Sequence, residues 1–597
     1  MKELAYLNKF FYKYRWRLIP GIFFVILSNI FGVLPAKVIS LAFNLVSENI
    51  STFYLFKDFQ RQELVYNIFA YSLLLFGSTV LLLALLRGLF LFFMRQTIIL
   101  MSRHIEYDLK NEIYQHYQEL SMNFFRANNT GDLMNRATED VSKVRMYAGP
   151  AIMYAINTAV LFLLVIVFMA EVNLKLTFFS LLPLPILAYV IYYVHVILNN
   201  RSEKIQQRLS SLSAFVQETF SGIRVIKSYG RENSVNQKFV QESNAYKDDS
   251  LALVQVQATF YPIMLMLVGL STIITVYIGG IEVMNGTITP GNIAEFIIYI
   301  NQLTFPVTSL GWITSLVQRA AASQKRINEF LKTEPQISSG SDDKFSFEGH
   351  IKFDNVSFRY PDTGIEAVKN LTFEVKPGEF VAIIGRTGSG KSTIANLLMR
   401  MYDCTEGEIY IDGIPIKQIN LASYRSQIGF VPQEVFLFSD TISNNIAFGE
   451  SSKTDTQKVE EAAKNAAVYE NIIEFDHGFE TLIGERGVTL SGGQKQRISI
   501  ARALIKQPQL LIFDDCLSAI DTQTEEAILS NLGKTMEGKS SIIIAHRVST
   551  IKNADQIIMM DQGKIVEMGT HNSLMKTGGS YKQLYENQLL EKQESPV

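Results

Sequence analysis

Six stretches in the first 330 residues are long and apolar enough to cross a bilayer, and they limit the fold more than any other feature of the chain. A bilayer core takes about 20 residues of apolar helix. Backbone polar groups in lipid must be satisfied internally, so runs of this kind read as helices. The six run from Leu18 to Val46, Leu64 to Met94, Met146 to Ala170, Leu174 to Leu198, Val254 to Gly279 and Gly291 to Val317. Only Glu171, Val172 and Asn173 separate the third from the fourth. An all-α transmembrane domain over residues 1–330 is expected.

Basic residues orient it, because they collect on the cytoplasmic side. Lys2, Lys9, Lys13, Arg15 and Arg17 precede the first span. The segments after spans two and four carry Arg95, Arg103, Lys110, Arg126 and Arg136, and Arg201, Lys204, Arg208, Arg224 and Lys227. The opposite loops hold only Lys57, Arg61 and Lys175. Both termini and both long segments are therefore expected in the cytoplasm. The N-terminal run lacks a small-residue cleavage site and reads as an amphipathic helix on the membrane face. The spans begin almost at Met1, which argues against a leading peptidase-like region.

Arg103–Leu120 and Ser202–Phe220 keep helical apolar spacing without Pro or Gly, so spans two to five should continue past the bilayer. Turn-like breaks at Phe124–Asp132 and Ser221–Ile226 would form the tips of two helical hairpins. Their apolar side chains need a packing partner. Lys37 and Arg87 lie inside spans, where charge is costly. They either line a cavity for an amphipathic or anionic substrate or serve an internal bond. Met264, Met266, Phe296, Tyr299 and Phe305 either supply an adaptable apolar surface or pack helices, and packing is the favoured reading.

A Ser-, Asp- and Gly-rich linker at 331–349 leads to a second domain at 350–588, with a tail at 589–597. Its signature is Gly385-Arg386-Thr387-Gly388-Ser389-Gly390-Lys391-Ser392-Thr393, between an apolar strand and a helix. That is the phosphate-binding P-loop pattern in its proper context. Glycines let backbone N–H groups reach phosphate oxygens at a helix N-terminus. Lys391 should reach the β/γ-phosphates and Ser392 should ligate Mg2+. Leu510–Asp514 reads as a strand ending in an acid beside the P-loop strand, where a nucleotide-bound Mg2+ would be held. Asp515 follows. Ser491-Gly492-Gly493-Gln494 opens a helix and forms a second anion site. One ATP cannot use two distant cradles on one chain, so two chains head to tail are expected. His546 ends another strand, where a γ-phosphate contact is expected. Tyr360 is a candidate purine-stacking ring.

These residues together resemble the ABC exporter superfamily, in the half-transporter form of bacterial multidrug and lipid exporters, over essentially the whole chain. The resemblance implies an α/β P-loop nucleotide-binding domain behind the six helices. It implies that Tyr360 stacks on adenine and that Gly385–Thr393 is the Walker A loop. Gln433 would contact Mg2+ and sense the membrane domain, and Ser491–Gln494 would be the signature. Asp514 is the Walker B acid, Ser518–Asp521 the D-loop and His546 the switch histidine. The hairpin tips would be coupling helices, touching Glu485-Arg486-Gly487.

One position departs. The family has Glu after the Walker B acid; here it is Asp515. Aspartate is shorter by about 1.5 Å of reach, and about 1 Å of misplacement can cost roughly 10²-fold in rate. The change resembles the degenerate-site subunit of heterodimeric exporters, which favours a heterodimer over a homodimer with two slow sites.

The leading expectation is ATP-driven export or flipping of an amphipathic drug or lipid. An ATP-gated channel or regulatory subunit is the alternative. The six spans and a net charge of −2 argue strongly against a soluble ATPase acting on nucleic acid or ribosomes. The two cysteines, Cys404 and Cys516, sit in no metal or disulfide pattern.

Overall fold

The computed structural model describes residues 2–55, 62–340, 345–450, 455–484, 490–517, 522–535 and 537–594. A 3-10 turn and α1 (Asn8–Lys13) open the chain. There follow α2 (Arg15–Leu55), α3 (Gln62–Glu119), α4 (Met122–Ala127), α5 (Thr130–Val172) and α6 (Leu174–Ser221). Then come α7 (Ile223–Ser228), α8 (Glu232–Met284) and α9 (Pro290–Leu331). Two compact units result: Met1–Tyr117 with Gly131–Thr333, and Gln118–Thr130 with Glu334–Val597.

In the first unit, six helices among the described residues are long and apolar enough to cross a membrane. α3 and α6 run on unbroken through the stretches where the sequence predicts extension past the bilayer. Two π-helical turns interrupt α5, at Arg136–Asp140 and at Tyr147–Ala151 around Pro150. The first predicted tip is more helical than expected: Phe124–Ala127 belongs to α4, and the break is confined to Asn128 and Asn129.

Buried side chains of five spans meet in one core, including Val33, Val165, Leu187, Leu267, Phe296 and Tyr299. Phe296 and Tyr299 thus pack helices as predicted, whereas Met266 and Phe305 are exposed. Polar ties cross the same packing. Asn29 donates to Asn157 at 2.9 Å, and Gln302 to the Gly32 carbonyl at 3.1 Å. Arg87 lies against Gly32, where a Cβ would come within 3.1 Å of its Nε, and Lys37 sits 6.0 Å from the Phe168 ring centroid. The N-terminal helix is anchored on α3 through Lys9–Glu112 at 2.7 Å and Lys13–Asp108 at 2.6 Å. The 3-10 turn and α1 bury Leu4, Leu7 and Phe10 and leave Tyr12 exposed.

The second unit carries two sheets. β1 (Ile351–Arg359), β2 (Glu366–Val375), β4 (Glu406–Ile411) and β5 (Ile414–Pro415) form an antiparallel sheet in the order β2-β1-β4-β5. β3 (Phe380–Gly385), β6 (Ile428–Val431), β7 (Leu510–Asp514), β8 (Ser540–Ala545), β9 (Gln556–Asp561) and β10 (Lys564–Gly569) form the other, in the order β10-β9-β3-β8-β7-β6. Five of these strands are parallel and β10 is antiparallel to β9.

Its strands are apolar on both faces because both are covered, the rule for parallel sheets. Val381 and Ile383 enter one core with Ile394 and Leu398, while Ala382 and Ile384 enter a second core with Ile498 and Leu504. Full burial of each such isoleucine contributes about 1.5–3 kcal/mol. This clamp fixes the carboxyl ends of β3, β7 and β8, where loop residues gather.

Candidate nucleotide-binding site

β3 ends at Gly385, and α10 (Lys391–Leu398) starts six residues later. The turn between them admits no side chain at two points. A Cβ at Gly385 would run into the Met560 carbonyl, and one at Gly390 into the Ala367 carbonyl. Gly390 also has φ +97° and Gly388 φ +82°, a region that only glycine enters freely. Arg386, Thr387 and Gly388 are exposed, while Ser389 is buried with no partner for its hydroxyl. Lys391 is nearly buried, and its Nζ donates to the Gly385 and Arg386 carbonyls at 2.9 Å each. Burial pushes its ammonium below the usual lysine range.

The acidic side of the site comes from β7. Ser392 Oγ donates to Asp514 Oδ1 at 2.8 Å. The sequence reading set Asp514 beside the P-loop strand, but β8 lies between β3 and β7. The hydroxyl at the start of α10 nevertheless reaches Asp514, because that helix begins over the strand ends. Asp515 follows with φ +48°, a left-handed conformation that aspartate tolerates better than most residues. Its N–H donates to the Ile544 carbonyl at 2.9 Å. Gln433 Nε2 donates to Asp515 Oδ2 at 3.3 Å, and His546 Nε2 lies 3.7 Å from the same oxygen. Burial raises the carboxyls of Asp514 and Asp515 above the ordinary aspartate value.

These residues fit a magnesium-bound triphosphate. A buried ammonium held by two carbonyls, and a buried hydroxyl without a partner, both gain from a bound anion. Two adjoining carboxylates, Asp514 buried and Asp515 half-buried, with a serine hydroxyl and a carboxamide make an oxygen donor set suited to a hard divalent cation. The fold thus gathers Lys391, Ser392, Gln433, Asp514, Asp515 and His546, which span more than 150 residues of sequence.

Tyr360 joins this cluster through Thr393, its hydroxyl 3.1 Å from Thr393 Oγ1. Ser491–Gln494 does not join it. Ser491 caps α11 (Gly492–Leu504), accepting from the Gln494 N–H at 3.3 Å while its own N–H donates to Gln494 Oε1 at 2.9 Å. Ser491 and Gly492 face outward. Glu485–Gly487 and Ser518–Asp521, the expected exporter contact segment and D-loop, lie outside the described residues. Cys516 is a small buried residue, its thiol pushed well up by burial.

Two contributors escape a reading by motif. Gln588, on α12 (Ser580–Glu594), donates to the His546 carbonyl at 2.7 Å and accepts from the Val548 N–H at 2.9 Å. Arg126, on α4, sits 4.7 Å from the Tyr360 ring centroid. Gln588 lies in no recognisable pattern; Arg126 lies in the tip Phe124–Asp132 that the sequence marks as needing a packing partner, but nothing local there points to Tyr360.

Comparison with known proteins agrees with this geometry. Residues 22–307 match the ABC transporter transmembrane region, and residues 368–518 match the ABC transporter family. The multidrug resistance-like ATP-binding protein MdlA of Escherichia coli (strain K12) is 35% identical over 521 residues, 87% of this chain and 88% of the relative. An ATP-dependent lipid A-core flippase of Pseudomonas fluorescens (strain Pf0-1) is 35% identical over 483 residues, 81% of this chain and 80% of the relative. A solved bacterial Atm1-family ABC exporter with ATP bound superposes with a TM-score of 0.75 at 27% identity, covering 96% of this chain and 98% of the other. With six membrane-length helices ahead of an assembled P-loop site, the chain belongs to the ABC transporter family and has the exporter architecture.

Proposed function

We propose that this protein is one half of a dimeric exporter that uses ATP to move an amphipathic drug or lipid across the cytoplasmic membrane by alternating access. The single observation that carries this reading is the P-loop cluster on the same chain as six membrane-length helices. Relatives named as a multidrug resistance-like ATP-binding protein and an ATP-dependent lipid A-core flippase support the substrate class.

In this mechanism Lys391 and the N–H groups of Gly385–Thr393 bind the phosphates, and Tyr360 stacks on the base. Ser392, Gln433 and Asp514 would hold Mg2+, which when bound supplies positive charge against the phosphate oxygens. Asp515 orients the attacking water and accepts its proton, and His546 contacts the γ-phosphate. Burial raises the Asp515 carboxyl and so makes it a better base than an exposed aspartate. Ser491–Gln494 caps the nucleotide of a second chain. That outward-facing signature supports the dimer. So does the α7 tip, where Phe220, Val225 and Tyr229 are 70%, 61% and 77% exposed and would be covered by a partner. Closure around ATP draws the hairpin tips together and turns the cavity outward; hydrolysis resets it.

The short Asp515 favours a heterodimer in which this chain's own site turns over slowly and its signature completes a partner's faster site. The deciding experiment is ATP-dependent uptake of a fluorescent amphiphile into inverted proteoliposomes, for this chain alone and with a partner carrying Glu at the matching position. Uptake only with the partner supports the full reading. ATP-dependent ion current without vectorial uptake would replace the exporter with a channel.

A further inference from the structure

Position 126 lies between α3 and α5 in sequence, yet α4 belongs to the unit that holds the nucleotide site. Asn123 helps to seat it by donating to Gln336 at 3.1 Å. Its Arg126 makes three contacts at one spot. The guanidinium lies over the Tyr360 ring at 4.7 Å, Nη2 is 3.1 Å from Asp362 Oδ2, and Nη1 is 3.5 Å from the Tyr402 hydroxyl.

Tyr360 itself has little freedom. Its hydroxyl is tied to Thr393, two residues beyond Lys391. Phe358 and Tyr402 meet it in edge-on geometry, with centroids at 4.9 and 5.5 Å and interplanar angles of 79° and 83°. A base can stack only on a ring face. Arg126 lies over one face and is held there by an anion and a hydroxyl, so the opposite face is the one a base takes.

We infer that Arg126 is a positioning residue of the nucleobase subsite, bracing Tyr360 from behind and linking base occupancy to the seating of α4. This deepens the proposed nucleotide site and rests on Tyr360 being its base platform. Arginine suits the role because its planar fork holds Asp362 and Tyr402 while it stacks. Linkage makes the effect reciprocal: if Arg126 strengthens base binding, the base strengthens α4 seating by the same factor.

The test uses the full chain in lipid nanodiscs and compares binding of ATP with inorganic tripolyphosphate, which carries no base. R126Q is expected to weaken ATP about threefold to tenfold and to leave tripolyphosphate unchanged, which also reports an intact P-loop. D362N, which releases the guanidinium, should move ATP in the same direction. Y360A/R126Q should bind ATP no more weakly than Y360A alone. In hydrogen exchange, ATP should protect residues 122–127 more than tripolyphosphate does, and R126Q should abolish the difference. Equal loss of both ligands in R126Q, unchanged ATP affinity, or additive effects with Y360A would each overturn the inference. If Y360A fails to change the ratio of ATP to tripolyphosphate affinity, the base platform is wrong and the Arg126 role falls with it.

Discussion

Gln588 brackets His546: its carboxamide donates to the His546 carbonyl at 2.7 Å and accepts from the N–H of Val548 at 2.9 Å. The two residues are 42 apart in sequence, and α12 supplies the clamp. At about 0.5 kcal/mol each, the lower end of the range, loss of both bonds costs about 1 kcal/mol. Q588A should therefore lower the turnover of a competent dimer about fivefold with little change in ATP affinity. A larger effect on affinity than on turnover would show that the clamp supports the fold and does not position His546.

Asp514 and Asp515 give the site a pH signature. Burial raises both carboxyls above their unfolded values. Within that window the folded state binds more protons, so stability falls as pH rises through it. As pH rises through the raised range the carboxyls ionise against the cost of burial, and a bound divalent cation offsets that cost. The thermal midpoint gained with Mg2+–ATP over ATP in EDTA should shrink as pH falls and these raised carboxyls take up protons. D514N should raise the midpoint of the nucleotide-free protein at neutral pH and erase the Mg2+ increment.

Two glycines from the two phosphate motifs should respond in opposite ways. At Gly390 φ is +97° and a Cβ would strike the Ala367 carbonyl, so G390A should lose ATP binding and lower the midpoint. Around Gly492 a Cβ would meet nothing within 4 Å. G492A should fold within about 0.5 kcal/mol of wild type yet depress ATP turnover in the dimer, since the open space is where a partner's nucleotide would sit. Differential scanning fluorimetry beside ATPase assays separates the two.

Asp515 is the decisive test of the slow site. D515E should raise turnover by up to about 10²-fold if reach limits the rate, at a conformational cost of about 1 kcal/mol because φ is +48° there. Brisk turnover of the unmodified chain alone, abolished by D515N, would make Asp515 a working base and favour a homodimer.

The two-part architecture, the six membrane-length helices and the positions of the phosphate motifs could all be read along the chain. Each is local: a span is an unbroken apolar run, and a P-loop is a strand, a glycine turn and a helix within about 20 residues. Which motifs share one site follows from how the strands and helices pack. Strand order placed β8 between β3 and β7, and the start of α10 carried Ser392 to Asp514 across 122 positions. The same holds for Arg126, which meets Tyr402 across 276 positions, and for Gln588. Contacts of that range follow from how sheets and helices pack, and no periodicity in the chain announces them. Ser491–Gln494 shows the complementary case: its pattern is plain in the sequence, while in the fold it stands apart from the P-loop cluster, with Ser491 and Gly492 exposed.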